Sequence, residues 1–388
     1  MRNDKVKYNV EDILINDHLV EELIGDEKGN KGGRNDRSFS LAGLIYRALI
    51  GNKNWFKPKQ KQQLGDKIQH SIVAYRRKLI ISRFTAAASF LIFVSVSYLY
   101  LSNQDSAVRS YAENWEMVPV NGNTQLILSN DETIAIDSKE SEIGYSETGN
   151  VIDIDDSGKV NQDIDSQKPA MNTVVVPFGK RTHVTLSDNS SVWLNSGSRL
   201  VFPARFDKGK REVYLEGEGM FEVSHDKGHP FHVLTKDLEV EVLGTVFNVS
   251  AYRDDKETSA VLVEGSVELS YQGTSFVGKS EEKMIPGYLA SYNPLNSSLN
   301  QKAVNTDLYT SWRKGYLIFE REPLPEIVRK VSRYYNVDIQ LADPELEKET
   351  FSGNLDLGNS APELLQIVAE IVSARIEQQG NQIIMSRI

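Results

Sequence analysis

Residues Phe84 to Leu101 read FTAAASFLIFVSVSYLYL, 18 positions without a charge, and this run constrains the chain more than any other feature. As a helix it reaches about 27 Å, close to the roughly 30 Å hydrocarbon layer of a bilayer. A buried core helix would show a polar face, and this run has none. A cleaved leader would place its apolar core within the first ~15–30 residues. The expectation is one transmembrane helix over 84–102, with Tyr98 and Tyr100 near its far end in the headgroup zone. Arg76, Arg77, Lys78 and Arg83 precede the run, and Asn103, Gln104 and Asp105 follow it. The positive-inside rule then leaves 1–83 in the cytoplasm and the rest outside, which is the periplasm in a bacterial inner membrane.

Charge divides at the same place. Residues 1–83 hold 17 Lys and Arg against 10 Asp and Glu, whereas 84–388 hold 27 against 44. The two sides are therefore suited to different surroundings. Cysteine is absent, which removes disulfides, thiolate metal sites and thiol nucleophiles together.

The inner part reads as a small all-α domain. Leu41, Leu44, Ile45, Ala48 and Leu49 keep helical spacing, as do Leu64, Ile68, Ile72, Tyr75 and Leu79. An earlier helix is expected over Val10 to Ile24, with a glycine-rich linker from Gly25 to Asp36. That linker lacks the order of a phosphate-binding loop. The stripe Leu41, Leu44, Ile45 and Leu49, with Trp55 beside it, suits either the domain's own core or a groove on a partner.

After a juxtamembrane linker at 103–114, the period changes to two. Runs such as His183-Val184-Thr185-Leu186 and Leu238-Glu239-Val240-Glu241-Val242, separated by Gly, Asn and Asp, predict antiparallel β structure over 115–300. Leu128 to Asp137 is echoed 58 residues later by Leu186 to Asn195, each copy with a polar turn at Asn130-Asp131 or Asp188-Asn189. Repeated hairpins point to a β-roll or solenoid-like layer.

From 311 to 388 the pattern is strand, helix, strand, twice over. Pro325, Glu326, Ile327, Val328, Val331, Tyr334 and Ile339 correspond, 37 residues later, to Pro362, Glu363, Leu364, Leu365, Val368, Ile371 and Ile376. This predicts a small α+β domain of duplicated strand–helix–strand units, closed by a hairpin. The fold class overall is multidomain: all-α, one membrane helix, all-β, then α+β.

Several motifs run in order through the β region. They are Phe178-Gly179-Lys180-Arg181, Val192-Trp193-Leu194-Asn195, Arg211-Glu212-Val213-Tyr214-Leu215-Glu216-Gly217-Glu218, Val242-Leu243-Gly244-Thr245 with Phe247-Asn248-Val249, and Val263-Glu264-Gly265. In order and spacing, residues 170–388 resemble the FecR family of transmembrane anti-sigma factors. The resemblance is closest to the Bacteroidota branch, whose end is similar to the secretin and TonB short N-terminal domain. The family usually carries Asp-Gly where this chain has Asp188-Asn189, and asparagine tolerates the left-handed conformation such a turn needs.

The motifs themselves read as scaffold. Gly179, Gly197, Gly217, Gly244 and Gly265 suit turns or close approaches. Trp193, Phe221, Phe231 and Phe247 are expected in the core, and Asn195 and Asn248 are expected to bond the backbone locally. No catalytic constellation emerges. His225, His229 and His232 lie within eight residues, but a strand–turn–strand reading accounts for them without a metal. Glu216 and Glu218 share a strand face without an acid–base arrangement. No cofactor, metal site or direct contact with nucleic acid is expected.

The resemblance implies an anti-sigma factor: the inner domain sequesters an extracytoplasmic-function sigma factor. The outer part would meet the N-terminal signalling domain of a TonB-dependent outer-membrane transducer. Membrane proteases would relay the signal across the lipid bilayer. Strand edges at Tyr316, Leu317, Ile318 and Phe319, or at Phe351 to Leu355, are the expected docking places. The alternative reading is a membrane-anchored periplasmic binding or scaffold protein without sigma control. A membrane-tethered enzyme built on the histidines ranks below both.

Overall fold

The computed structural model describes residues 89–97, 106–114, 122–155, 158–164, 169–207, 209–273 and 279–388. The chain divides into two units, 1–104 and 105–388. Of the first, the stretch 89–97 is described: it is helical, and Phe90, Leu91, Ile92, Phe93, Val94 and Val96 on it are exposed. Among the described residues no helix is long and apolar enough to cross a membrane. The ends of the apolar run, the inner helices and the stripe Leu41, Leu44, Ile45, Leu49 and Trp55 lie outside the described residues.

The second unit opens with a short helix, α1 (Ala107–Glu113). The strands of the β region follow in order. They are β1 (Thr124–Ile127), β2 (Thr133–Ile136), β3 (Glu140–Tyr145), β4 (Val151–Ile154), β5 (Lys159–Asn161), β6 (Met171–Val176), β7 (Arg181–Thr185), β8 (Ser191–Leu194) and β9 (Ser198–Pro203). Then come β10 (Arg211–Glu222), β11 (Phe231–Leu234), β12 (Leu238–Val242), β13 (Val246–Ala251), β14 (Thr258–Glu264), β15 (Val267–Tyr271), β16 (Ser280–Met284), β17 (Tyr288–Asn293) and β18 (Ser298–Ala303).

These strands make two layers that share one strand. The first layer runs β2-β1-β6-β9-β10-β11-β12-β15-β16. The second runs β5-β4-β3-β7-β8-β10-β13-β14-β17-β18. Alternating side chains from both layers meet in one core, where Phe202, Phe221, Phe231 and Phe247 are fully buried and Phe221 stacks on Phe247 at 5.1 Å. Not every ladder is antiparallel as expected. β3 pairs parallel with β7, and β10 with β11. The first of these joins one repeat to the next, as coils of a solenoid do.

Strand β10 changes layers in mid-course. Up to Glu216 it pairs with β9, and from Gly217 it pairs with β13. Gly217 makes the corner: its φ is 101°, and a Cβ there would sit 2.6 Å from the Ser198 Cα. The two repeated hairpins close as their sequences suggest. Asp131 and Asn189 take φ of 65° and 63°, and their neighbours Asn130 and Asp188 accept the N–H two residues on, from Glu132 and Ser190.

The C-terminal domain follows a short 3-10 turn at Ser311–Lys314. Its elements are β19 (Tyr316–Pro323), α2 (Leu324–Tyr335), β20 (Asp338–Leu341), β21 (Thr350–Asp356), α3 (Ala361–Ile371), β22 (Ala374–Gln379) and β23 (Gln382–Arg387). β19 and β21 form one small sheet, and β20-β23-β22 form another. Both helices carry proline in the first turn, and α3 adds a capping box between Ser360 and Glu363. Leu324, Ile327 and Val331 of α2 and Leu364, Leu365 and Val368 of α3 fill the core between the sheets.

Candidate functional site

Polar residues of the sequence motifs converge where the C-terminal domain sits on the outer face of the second layer. Trp193, Met220 and Asn248 stand opposite one another across β8, β10 and β13. Because side chains alternate along a strand, all three face away from the β core. Met220 is buried within the core of the C-terminal domain, and Trp193 packs half-buried at its margin. The expectation that Trp193 belongs to the β core is thus corrected: its ring lies at the joint between domains.

Glu218 is the centre of this joint. Asn195 Nδ2 donates to its Oε2 at 2.8 Å, and Asn248 Nδ2 donates to its Oε1 at 2.9 Å. The Trp312 indole N–H, from the turn before β19, donates to Asn248 Oδ1 at 3.3 Å. Asn195 also makes the local bond expected of it, accepting the Ser196 N–H at 2.8 Å. Asn248 departs from that expectation, because both its amide atoms serve the joint. Burial pushes the Glu218 carboxyl above its ordinary range, and the two amides only partly offset that.

Helix α2 supplies the cations. Arg333 donates to Asp255 at 2.6 Å and to Asp254 at 2.7 Å, and Arg329 donates to Asp255 at 2.9 Å. The Arg333 guanidinium also lies 3.8 Å from the centre of the Tyr252 ring, whose hydroxyl donates to the Ser196 carbonyl at 2.9 Å. Burial raises Asp254, but the bonds from Arg333 outweigh it and hold the carboxyl below its usual range. The last turn of α2 is received by a motif residue as well. The Gly179 N–H donates to the Arg333 carbonyl at 3.2 Å, at a φ of 85° that leaves room for the helix end. Arg181 bonds the Trp312 carbonyl and covers the Tyr334 ring at 5.3 Å. Arg313 pairs with Glu222 and lies 4.4 Å above Trp193, on which His183 also stacks at 4.5 Å.

Between the two surfaces is a cavity of about 190 Å³ with Glu218, Tyr309 and Lys330 in its lining. The arrangement orients one domain on another. It has no nucleophile paired with a base, and among the described residues no group of His, Asp and Glu could hold a metal ion. The histidines of the 225–232 segment have separate partners: His229 bonds Asp226 at 2.7 Å and His232 bonds Glu239 at 3.2 Å.

Of the expected docking strands, β19 borders the joint, where Leu317 lines the cavity and Lys330 lies 5.4 Å from the Phe319 ring. Leu317 stands opposite Leu355, and Phe319 opposite Gly353, so the two strands pair with each other. Leu317, Phe319, Phe351 and Leu355 are buried, whereas Tyr316 and Ile318 are half-buried. Among the described residues each of these strands pairs on one side only. Sequence reasoning named Glu218 only as a strand carboxylate beside Glu216 and did not bring it together with Arg329, Arg333 and the Asp254-Asp255 loop at a joint. The available signal was polar residues at outward strand positions inside otherwise structural motifs.

Residues 172–268 match the family described as FecR protein, and residues 316–385 match the family described as FecR, C-terminal. Two crystal structures of a candidate anti-sigma factor from Parabacteroides distasonis ATCC 8503, at 2.50 and 1.65 Å, are similar to this chain. Each is 29% identical, with a TM-score of 0.51, covering 56% of this chain and 99% of the other. No curated protein matches the sequence. The fold and the joint define a β domain on which a small α+β domain is held in one orientation. Two separate stretches of the chain are thus similar to the FecR family, in the order β region then C-terminal domain.

Proposed function

We propose that this protein is a single-pass anti-sigma factor. The observation that carries this reading is the agreement of two separate family matches, in order along the chain, with a neighbour described as a candidate anti-sigma factor and covered over 99% of its length. Residues 1–83 bind an extracytoplasmic-function sigma factor in the cytoplasm, and 84–102 cross the inner membrane. The β-roll and C-terminal domain read the periplasm, where the N-terminal domain of a TonB-dependent transducer docks on the C-terminal domain. Release follows from proteolysis near and within the span. The joint suits such a role, since ion pairs, hydrogen bonds and stacked rings fix the orientation of the C-terminal domain on the roll.

The test uses the full chain with the sigma factor encoded beside its gene. Co-purification and repression of a sigma-dependent reporter are expected, with both lost when residues 1–83 are replaced by an unrelated basic anchor. Repression that survives the replacement overturns the sigma-binding assignment, and absence of repression by the intact chain favours a periplasmic scaffold. Reporter fusions before residue 80 and after residue 110 should report opposite sides of the membrane.

A further inference from the structure

The C-terminal domain repeats itself, and its two helices are treated differently. At the offset of 37, the joint positions Glu326, Arg329, Lys330, Arg333 and Tyr334 of α2 correspond to Glu363, Gln366, Ile367, Glu370 and Ile371 of α3. On α2 all five are buried or half-buried, with Arg329, Lys330 and Arg333 facing the roll. On α3 their counterparts are exposed, including Ile367 at 45% and Ile371 at 58%.

This exposure is not the spill-over of a helix lacking an inner face. Leu364, Leu365, Val368 and Ala369 of α3 are fully buried, so α3 already has its core stripe. Ile367 and Ile371 form a second stripe at i and i+4, one turn apart on the flank of the core stripe and next to Glu363 and Glu370. The chemistry of the equivalent positions is also inverted. Where α2 carries two arginines and a lysine, α3 carries Gln366, Glu370 and two isoleucines, and it has no Lys or Arg at all.

We propose that this face of α3 is a second docking surface, at the positions equivalent to the first but of inverted chemistry, for a folded protein domain that presents an apolar patch edged by lysine or arginine. The partner is the periplasmic N-terminal domain of the outer-membrane transducer, so this rests on the function proposed above. A second copy of the chain does not fit, since two-fold packing of α3 on α3 would set Glu363 and Glu370 against their own kind. An anionic lipid surface is disfavoured by the same carboxylates. The surface differs from the strand edges named from sequence: it offers exposed apolar side chains, whereas Phe351 and Leu355 are spent in the core.

The experiment measures binding of the full chain, in detergent, to the isolated N-terminal domain of the transducer encoded beside this gene. Ile367→Glu with Ile371→Glu is expected to weaken binding at least about tenfold, the usual consequence of removing an interface anchor. Glu370→Lys is expected to weaken it by less and to flatten its salt dependence. Both positions are exposed, and an unchanged thermal unfolding midpoint confirms that the fold is intact. Wild-type binding that the isoleucine substitutions leave unaltered overturns the surface while the transducer reading stands. No binding by the wild-type chain overturns the transducer reading and this surface together.

Discussion

The β-roll is covered on both outer faces, and the two covers are held by different physics. On the second layer, the C-terminal domain is fixed by Arg333 and Arg329 on Asp254 and Asp255, by the Glu218 amides and by stacked rings. On the first layer, α1 lies on an apolar seat. Val108 and Ala112 pack with Met171, Val201, Tyr214 and Leu234. Its polar ties are at its ends: Ser106 donates to Glu212 at 2.7 Å, and both Arg199 Nη atoms donate to the Ala112 carbonyl at 3.3 Å. Directional bonds to charged groups fix an angle as well as a contact, whereas an apolar seat of four residues mainly supplies adhesion. A seven-residue helix is too short to persist alone, so α1 owes its form to its seat. One cover is an oriented joint and the other a short strap on an apolar seat.

Breaking the joint should have the largest effect. Arg333→Met leaves Asp254 and Asp255 short of their main partner and uncovers Tyr252, with an expected loss of about 2–4 kcal/mol. Denaturant unfolding followed by tryptophan fluorescence checks this, since Trp193 and Trp312 both lie at the joint. Unchanged unfolding would mean the ion pairs add nothing to orientation. Ala112→Asp should detach the strap at a cost nearer 1–3 kcal/mol, by placing a carboxylate in a seat where the alanine is 1% exposed. Faster tryptic cleavage at Arg109 with an unaltered joint signal is the expected readout; cleavage at the wild-type rate would show that α1 is not separable.

The third comparison is by pH. Glu218 has its carboxyl raised above the model-peptide value, so the folded joint holds its proton more tightly than the unfolded chain does. Stability from this group is therefore present at low pH and falls as pH rises through its folded pKa. Glu218→Gln should remove that component from the pH profile of the joint and leave strap cleavage untouched. The smallest change calibrates the roll itself. Asn189→Gly at a φ of 63° exchanges a small left-handed strain for the greater unfolded-chain entropy of glycine, so stability, read from the unfolding midpoint, should shift by less than about 1 kcal/mol with neither cover affected.

Local chemistry in this protein was readable from its letters. The hairpin turns at Asn130-Asp131 and Asp188-Asn189 combine period-two runs with residues that accept a left-handed φ, and they form as expected. The strand–helix–strand units were equally plain, because proline, helical spacing and a short connection act within a dozen residues. The joint was not legible. Arg329 and Arg333 sit where an amphipathic helix normally meets water, and Asp255 is more than 70 residues away. Trp193 looked like core because a large ring in an alternating strand usually is, yet it faces outward. In the second helix, Ile371 follows the spacing of a core residue, seven positions after Leu364, but lies at the edge of the buried stripe in the last turn and is exposed.

Two carboxylates separated only by Gly217 serve the two covers. Glu216 binds Arg199, which grips the end of α1, and Glu218 receives the amides behind Trp312. A strand advances about 6.6 Å over two residues, so this bend brings both fittings to a single pivot. A side chain larger than hydrogen at residue 217 would collide with Ser198 and tilt both lever arms at once. The two covers are thus tied together across one peptide step on either side of a glycine.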